Sequence, residues 1–200
     1  MFPGAPEQGF ALSCGGGPGA AGNTGDMTEN NAQHASQEPE VVVRRARPGD
    51  QDAVTCLYEM APASERFHDN GEDVRDITGA YLSDGDDGSS FWVAEADGDG
   101  VIGMVGVRRE GASMAKMRRL RVHPDWRQRG IGKRLVREAL GFCRDRGYVK
   151  VALQAEVEQE AAIALFKRFG FQLTRTRMVD DIEVMEFYMD LYRDPDDSDD

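Results

Sequence analysis

The residues whose types and spacing best suit chemistry form one short segment, Arg127-Gln128-Arg129-Gly130-Ile131-Gly132. A strand is predicted to end near Val122, and an amphipathic helix is predicted from Ile131 to Arg146. At a helix start several amide N–H groups lack an intrahelical partner and the positive end of the helix dipole lies behind them, so anions bind there. Glycine at positions 130 and 132 leaves those amides open to a phosphate. The segment predicts an anion site, although two glycines alone are more often part of a surface loop with solvated basic residues.

A second segment, Val149 to Phe171, strengthens this prediction. It holds a predicted strand and an Ala-rich helix that ends in Leu165-Phe166, followed by Gly170-Phe171, where glycine can end the helix in the left-handed conformation. Together the two segments resemble the Gcn5-related N-acetyltransferase (GNAT) family. Its pyrophosphate loop reads Arg/Gln-x-x-Gly-x-Gly/Ala, and its last third carries a strand, a helix ending in Leu-Tyr/Phe and a Gly-Phe step. The resemblance spans residues 41 to 191.

The resemblance implies a co-substrate, a reaction and a binding site. The co-substrate is acetyl-CoA, and its acetyl group passes by direct attack to a primary amine of a small molecule or a protein, with no covalent enzyme intermediate. The strands that are fourth and fifth in the family diverge to admit the thioester, the backbone of the fourth holds the pantetheine arm, and an amide near Val122 supports the oxyanion. The implied cofactor-binding residues are Leu120, Arg121, Val122, Arg127, Gln128, Arg129, Gly130, Ile131, Gly132 and Lys133.

Three positions depart from the family's pattern. Lys116 occupies the place where many members carry a Glu that acts as the catalytic base. Phe166 occupies the place of a Tyr that protonates the leaving thiolate. Gln159 matches a common Asn. Three interpretations stay open: another residue is the base, water carries the protons, or the domain binds the coenzyme without turning it over.

Replacement residues can be named from their places in the sequence. Glu95 and Glu156 are the candidates for the catalytic base because both lie at predicted strand ends, although carboxylates that only aid solubility are commoner. We expect His123 to be a turn residue and Trp126 to cover the turn before the helix. Three tyrosines could supply the acid, although strand-edge tyrosines with a solvated hydroxyl are commoner: Tyr148, Tyr188 and Tyr192.

The elements that must position these residues alternate between strands and helices, with Asp97-Gly98-Asp99-Gly100 predicting a tight hairpin. We therefore predict an α+β fold in a single domain, a GNAT-like mixed and mostly antiparallel central sheet flanked by helices. Helices are predicted at 50–60, 72–82, 131–146 and 160–169, and strands at 41–45, 91–95, 101–107, 114–122, 149–153, 171–175 and 184–191.

The two ends differ from the centre in composition. Residues 1–40 are rich in Gly, Pro and polar residues, which predicts a disordered leader, and residues 194–200 are mainly Asp, which predicts a solvated acidic tail. The predicted N-acetyltransferase domain occupies 41–193. Met27 opens a more ordinary polar segment, so translation could begin at Met1 or at Met27.

Charge is unevenly distributed along the chain. The formal net charge is −12, but residues 108–137 carry eleven bases against two acids, a field that suits phosphates or nucleic acid. Residues 50–100 carry fourteen acids against two bases, which suggests a cationic acceptor. We expect no nucleic-acid partner because the basic block lacks interleaved aromatic residues.

Further expectations follow from what the sequence lacks. There is no apolar run of membrane-spanning length and no secretory signal pattern, so we expect a cytoplasmic protein without a membrane partner. The three cysteines and three histidines are scattered, which predicts neither a disulfide framework nor a metal site. The carboxy-terminal strands could pair across a homodimer, and the sequence leaves that open.

Overall fold

The computed structural model describes residues 39–60, 71–82, 87–179 and 181–192. Within these ranges seven strands form one sheet in the order β1-β2-β3-β4-β5-β7-β6, and only β4 and β5 are parallel neighbours. This is the mixed, mostly antiparallel sheet that the sequence predicts. The strands are β1 Val41–Arg45, β2 Ser90–Ala96, β3 Gly100–Arg109, β4 Met114–Val122, β5 Lys150–Glu156, β6 Gln172–Val179 and β7 Ile182–Asp190.

Helices cover both faces of the sheet. Val54, Phe91 and Met104 belong to an apolar cluster between one face and the first three helices, whereas Val105 and Leu135 belong to a second cluster on the opposite face. Apolar side chains therefore point both ways from the central strands, as expected where helices cover both faces. The helices are α1 Gln51–Glu59, α2 Glu72–Arg75, α3 Ile77–Tyr81, α4 Ile131–Asp145 and α5 Glu160–Arg168.

The single helix predicted at 72–82 is wrong, because the chain breaks at Asp76. Its backbone leaves the helical region with φ −142° and ψ 75°, and its side chain accepts a hydrogen bond from the Gly79 amide at 2.8 Å. Short polar side chains that cap a helix in this way compete with the helix before them. The result is two short helices, α2 and α3, separated by Asp76.

The turn signals are confirmed. Gly98 and Gly100 have φ of 84° and 72° in the β2–β3 hairpin, and Gly170 has φ of 90° after α5. The Phe171 amide donates to the Phe166 carbonyl at 3.1 Å, so the chain folds back onto the end of α5 after the predicted glycine stop. The last two strands, β6 and β7, are longer than predicted. They form a hairpin whose outer strand, β6, is mostly exposed.

The predicted leader and acidic tail lie almost wholly outside the described residues, so both stay predictions. No helix in the described part of the chain is long and apolar enough to cross a membrane.

Candidate functional site

Helix α4 begins at Ile131, where the sequence predicts its start, and the glycine before it is left-handed. Gly130 has φ of 76° and Gln128 has φ of 64°. The first helical hydrogen bond runs from the Arg134 amide to the Gly130 carbonyl at 3.1 Å, so the amides of Ile131 and Gly132 precede it and lie at the open helix end. A Cβ atom placed on Gly130 would meet nothing within 4 Å. Alternating left-handed and right-handed residues direct successive N–H groups into one concavity, which suits a phosphate.

The loop before α4 is tied to the end of β4. Arg127 Nε donates to the Val122 carbonyl oxygen at 3.2 Å, and the Arg129 guanidinium lies 4.7 Å from the ring centre of Trp126. Trp126 is buried and His123 Nδ1 accepts from the Asp125 amide at 3.3 Å, so both are turn residues. Two of the predicted phosphate-binding arginines therefore hold the loop in place as well as supplying positive charge.

Strands β4 and β5 diverge beside this loop. Their pairing is limited to Met114 with Lys150, Ala115 with Val151, and Lys116 with Ala152. Beyond that point β4 continues to Val122 against β3, and β5 continues to Glu156 against β7. Two backbone edges therefore face a gap, and an extended ligand can add to such an edge as a strand would. Leu120, Arg121 and Val122 lie on the β4 side of that gap.

Gly132 joins the two segments that the sequence singled out. A Cβ atom placed on it would lie 3.3 Å from Leu165 Cδ2 and 3.9 Å from Val122 Cγ2. The first turn of α4, the end of β4 and helix α5 therefore meet at one point. The open helix start and the gap between the strands belong to one site.

The structure separates the two candidate bases. Glu156 is 8% exposed and ends β5 in the part that has left β4, on the opposite face of the strand from Ala155, which faces the α4 cluster. Glu95 lies on β2, with β3 between it and β4, and its carboxylate accepts from Arg44 Nε at 2.7 Å. Only Glu156 lies on a strand that borders the gap.

The three residues that depart from the family's pattern, Lys116, Phe166 and Gln159, lie on β4, in α5 and just before α5. Lys116 forms the last β4–β5 pair, and its Nζ lies 3.9 Å from Glu110 Oε1. Phe166 is buried and packs edge-to-face on Phe171, with ring centres 5.8 Å apart. Gln159 immediately precedes α5 and makes no side-chain cap. A cation and a buried phenyl ring thus stand where a base and an acid would be expected.

The three tyrosine hydroxyls have other surroundings. Tyr148 donates to the Gly88 carbonyl at 2.7 Å, and burial raises its pKa. The Tyr188 hydroxyl donates to Gln172 Oε1 at 2.9 Å, and Tyr192 is exposed. None of these contacts marks a proton donor for a thiolate.

The sequence interpretation missed a bulge in β4 and the buried acid beside it. Between its pairs with β3, β4 has one extra residue, and Arg119 takes a left-handed φ of 60° there. The sequence does indicate this bulge. The apolar residues Met117 and Leu120 are three positions apart, whereas side chains on the same face of a regular strand are two positions apart. Asp73 on α2 receives hydrogen bonds from Arg119 and from the Tyr81 hydroxyl. Burial opposes its ionisation, but these hydrogen bonds outweigh it and lower the pKa of Asp73.

A sheet that splits beside a glycine-flanked helix start is the arrangement that the resemblance to the GNAT family implies, and comparison with known proteins supports an acetyltransferase. The profile of the acetyltransferase (GNAT) family matches residues 54–171, and the chain belongs to that family. It is 38% identical over 145 residues to N-acetyltransferase 8 of Rattus norvegicus, covering 64% of this chain and 63% of that protein. It is 42% identical over 140 residues to N-acetyltransferase 8B of the same species, covering 61% and 60%.

The chain therefore spans less than two thirds of the length of these curated relatives. Among solved structures, that of yncA from Salmonella typhimurium, described as a putative acetyltransferase with its cofactor acetyl-CoA, matches with a TM-score of 0.66 at 19% identity. The match covers 78% of this chain and 96% of that one, and it establishes a common fold.

Proposed function

We propose that this protein is an N-acetyltransferase that moves an acetyl group from acetyl-CoA to a primary amine, by direct attack in a ternary complex. One observation carries the proposal: the gap between β4 and β5 and the open start of α4 meet at Gly132. The first suits an extended pantetheine arm and the second suits a pyrophosphate. Membership of the GNAT family and the acetyl-CoA named with the Salmonella protein agree with this co-substrate.

The residues present fit acetyl-CoA. The amides from Gln128 to Lys133 would bind the pyrophosphate, with Arg127, Arg129 and Lys133 supplying charge. The backbone from Leu120 to Val122 would hold the arm. Beyond its chain neighbours, a Cβ atom placed on Gly130 would meet nothing within 4 Å, so there is room for a phosphate at that position.

In the proposed reaction the amine nitrogen forms a bond to the acyl carbon and the bond from that carbon to sulfur breaks. Attack by the neutral amine makes its nitrogen an N-acyl ammonium, which loses one proton while the thiolate gains one, so the products are a neutral amide and a thiol. An acceptor that arrives as an ammonium ion first gives up one further proton through the base to solvent. An amide near Val122 would support the oxyanion, and the rate would come mainly from positioning and from that preorganised donor. Cys143 is no nucleophile here, because it is fully buried and burial raises its pKa to about 12.

We propose Glu156 as the base in preference to Glu95. Its backbone position on the diverging part of β5 and its burial support this role, whereas Glu95 lies on β2, with β3 between it and β4. A direct test is Glu156→Gln, with Glu95→Gln as a matched control. We expect kcat to fall at least tenfold in the first and less than twofold in the second. A pH–rate profile that keeps its acidic limb in Glu156→Gln would contradict the assignment.

A second candidate is a non-catalytic domain that binds acyl-CoA and regulates a partner. Lys116 and the buried Phe166 favour it, because neither can perform the proton transfer expected at its position. Calorimetric titration with acetyl-CoA, followed by thiol release with a panel of amines, separates the two. Binding with turnover supports the enzyme, binding without turnover supports the regulatory domain, and no binding refutes both.

The acceptor is proposed to be an amine on a small molecule or peptide. The cationic acceptor suggested by the acidic block gains no support from Asp50 and Asp73, because arginines already pair with both. Comparing a cationic and an anionic amine at rising salt tests for a charge preference. We also propose that the protein is cytoplasmic and has no nucleic-acid or membrane partner, which cell fractionation tests. Whether it forms a homodimer is left open, and light scattering measures that.

A further inference from the structure

The β4 bulge decides which side chains of the strand face which side of the sheet. Upstream, Ala115 and Met117 belong to the cluster under α4, and downstream Leu120 and Val122 pack against the same cluster. In a regular strand that alternation would send position 119 into this core. The extra residue keeps the apolar positions inward and directs Arg119 towards α1, α2 and α3.

All three of these helices contribute a group to the Arg119 side chain or to its partner. Asp73 of α2 accepts from Arg119 Nε at 3.1 Å and from a second guanidinium nitrogen. The Tyr81 hydroxyl of α3 donates to the same carboxylate, and the Tyr58 ring of α1 lies 5.1 Å from the guanidinium carbon. Arg118 Nε lies 3.7 Å from Asp73. A planar two-point ion pair of this kind fixes orientation as well as position.

The ion pair between Asp73 and Arg119, called the clamp below, lies beside the proposed donor site. Arg119 lies three residues after the last β4–β5 pair, at Lys116, and immediately before Leu120. The bulge therefore occupies the place where β4 leaves β5 and where its free edge begins. Because Arg119 takes a left-handed φ that a non-glycine residue rarely adopts, contacts elsewhere must hold the bulge in shape.

We propose that Asp73 is a positioning residue: through Arg119 it fixes the β4 bulge and thereby the edge from Leu120 to Val122 that holds the acetyl donor. The inference rests on the proposed function. It assigns Asp73 no contact with either substrate. A positioning role differs from a purely structural one, because a purely structural ion pair would add stability and leave the binding of acetyl-CoA unchanged.

The test compares Asp73→Asn with Asp50→Asn. Asp50 is a matched control because it is also buried and accepts two hydrogen bonds from one guanidinium, that of Arg44 at 2.8 Å each, on the far side of β2 and β3. Both variants should lose thermal stability. At a temperature where both are folded, Asp73→Asn should bind acetyl-CoA at least tenfold more weakly and lose kcat, whereas Asp50→Asn should stay within twofold of the wild type.

Two further variants extend the test, and the first keeps the inference testable if Asp73→Asn does not fold. Tyr81→Phe removes one hydrogen bond to Asp73 and should weaken acetyl-CoA binding by about two- to fivefold. Adding Arg119→Gly to Asp73→Asn should restore part of the lost affinity, because glycine takes the left-handed conformation without a clamp.

Affinity for acetyl-CoA that is unchanged in Asp73→Asn and in Tyr81→Phe, with stability lost as in Asp50→Asn, would overturn the inference and leave the proposed function standing. A wild-type protein that does not bind acetyl-CoA would overturn the proposed function itself.

Discussion

A carboxylate at position 130 should repel the coenzyme, and the comparison of Gly130→Glu with Gly130→Gln isolates that repulsion. Both variants place a side chain of the same size at a φ of 76°, which costs about 1–2 kcal/mol of stability for a non-glycine residue. Beyond the chain neighbours, neither Cβ meets an atom within 4 Å, and any contact made further along the side chain is common to two side chains of the same shape. The two variants therefore share every cost except the charge.

The size of the charge effect follows from Coulomb's law. For a carboxylate about 6 Å from each of two phosphate charges, and an effective dielectric constant of about 40, the repulsion is about 1.4 kcal/mol per charge. The total of about 2.8 kcal/mol corresponds to roughly a hundredfold weaker binding. Salt screens the interaction, so the gap between the two variants should narrow as ionic strength rises from about 0.1 M to about 1 M.

Calorimetric titration with acetyl-CoA at both ionic strengths is the assay, and thermal unfolding provides the folding control. Both variants should be folded at the titration temperature, and Gly130→Glu should unfold no lower than Gly130→Gln, because a carboxylate is favourable at a helix start. Equal acetyl-CoA affinities for Gly130→Glu and Gly130→Gln at low salt would refute the reasoning, because a pyrophosphate at the start of α4 must feel that charge.

Other changes test the fold around the site. Gly141→Ala in the middle of α4 adds a methyl group that meets nothing within 4 Å, so urea denaturation should show about 0.5–1 kcal/mol more stability with unchanged acetyl-CoA affinity. Gly103→Ala would bring a Cβ within 3.1 Å of Leu135 Cδ1, so it should cost about 1–3 kcal/mol and weaken acetyl-CoA binding by lifting the start of α4. Because the pKa of Asp73 is lowered in the folded state, its contribution is complete well above the unfolded value of about 3.9. It is lost as pH falls through that value towards the lower folded one, so acid titrations of unfolding should be flatter in Asp73→Asn. Cys143, whose pKa is raised to about 12, should react with a thiol reagent at pH 8 only after unfolding, measured in a variant lacking the other two cysteines.

Local signals predicted most of the elements because their causes are local. The spacing of apolar residues identified α4, and Gly170 with Phe171 identified the end of α5, since helix periodicity and left-handed glycine depend on neighbours in the chain. The prediction at 72–82 was wrong for a related reason. Treating all eleven residues as one helix overlooked Asp76, whose side chain caps the next helix.

The candidate site was only partly predictable. The loop from Arg127 to Gly132 was found from residue type and spacing, and its helix-start geometry is confirmed. Sequence gave Glu95 and Glu156 equal standing as bases. Strand order distinguishes them, because β3 separates the strand of Glu95 from β4, whereas Glu156 lies on the strand that leaves β4.

By itself, the amino-acid sequence determined the family, the glycine-flanked helix start and the alternation of strands and helices, since each is written in residues close together in the chain. Tertiary structure decided where β4 leaves β5, that the first turn of α4 meets Leu165, and that Asp73 reaches Arg119 across 46 residues of chain. These three features depend on the register of strand pairing, on side-chain packing and on buried ion pairs between segments that are distant in the chain. Such contacts form only when the sheet and its helices have packed, and no local pattern specifies them.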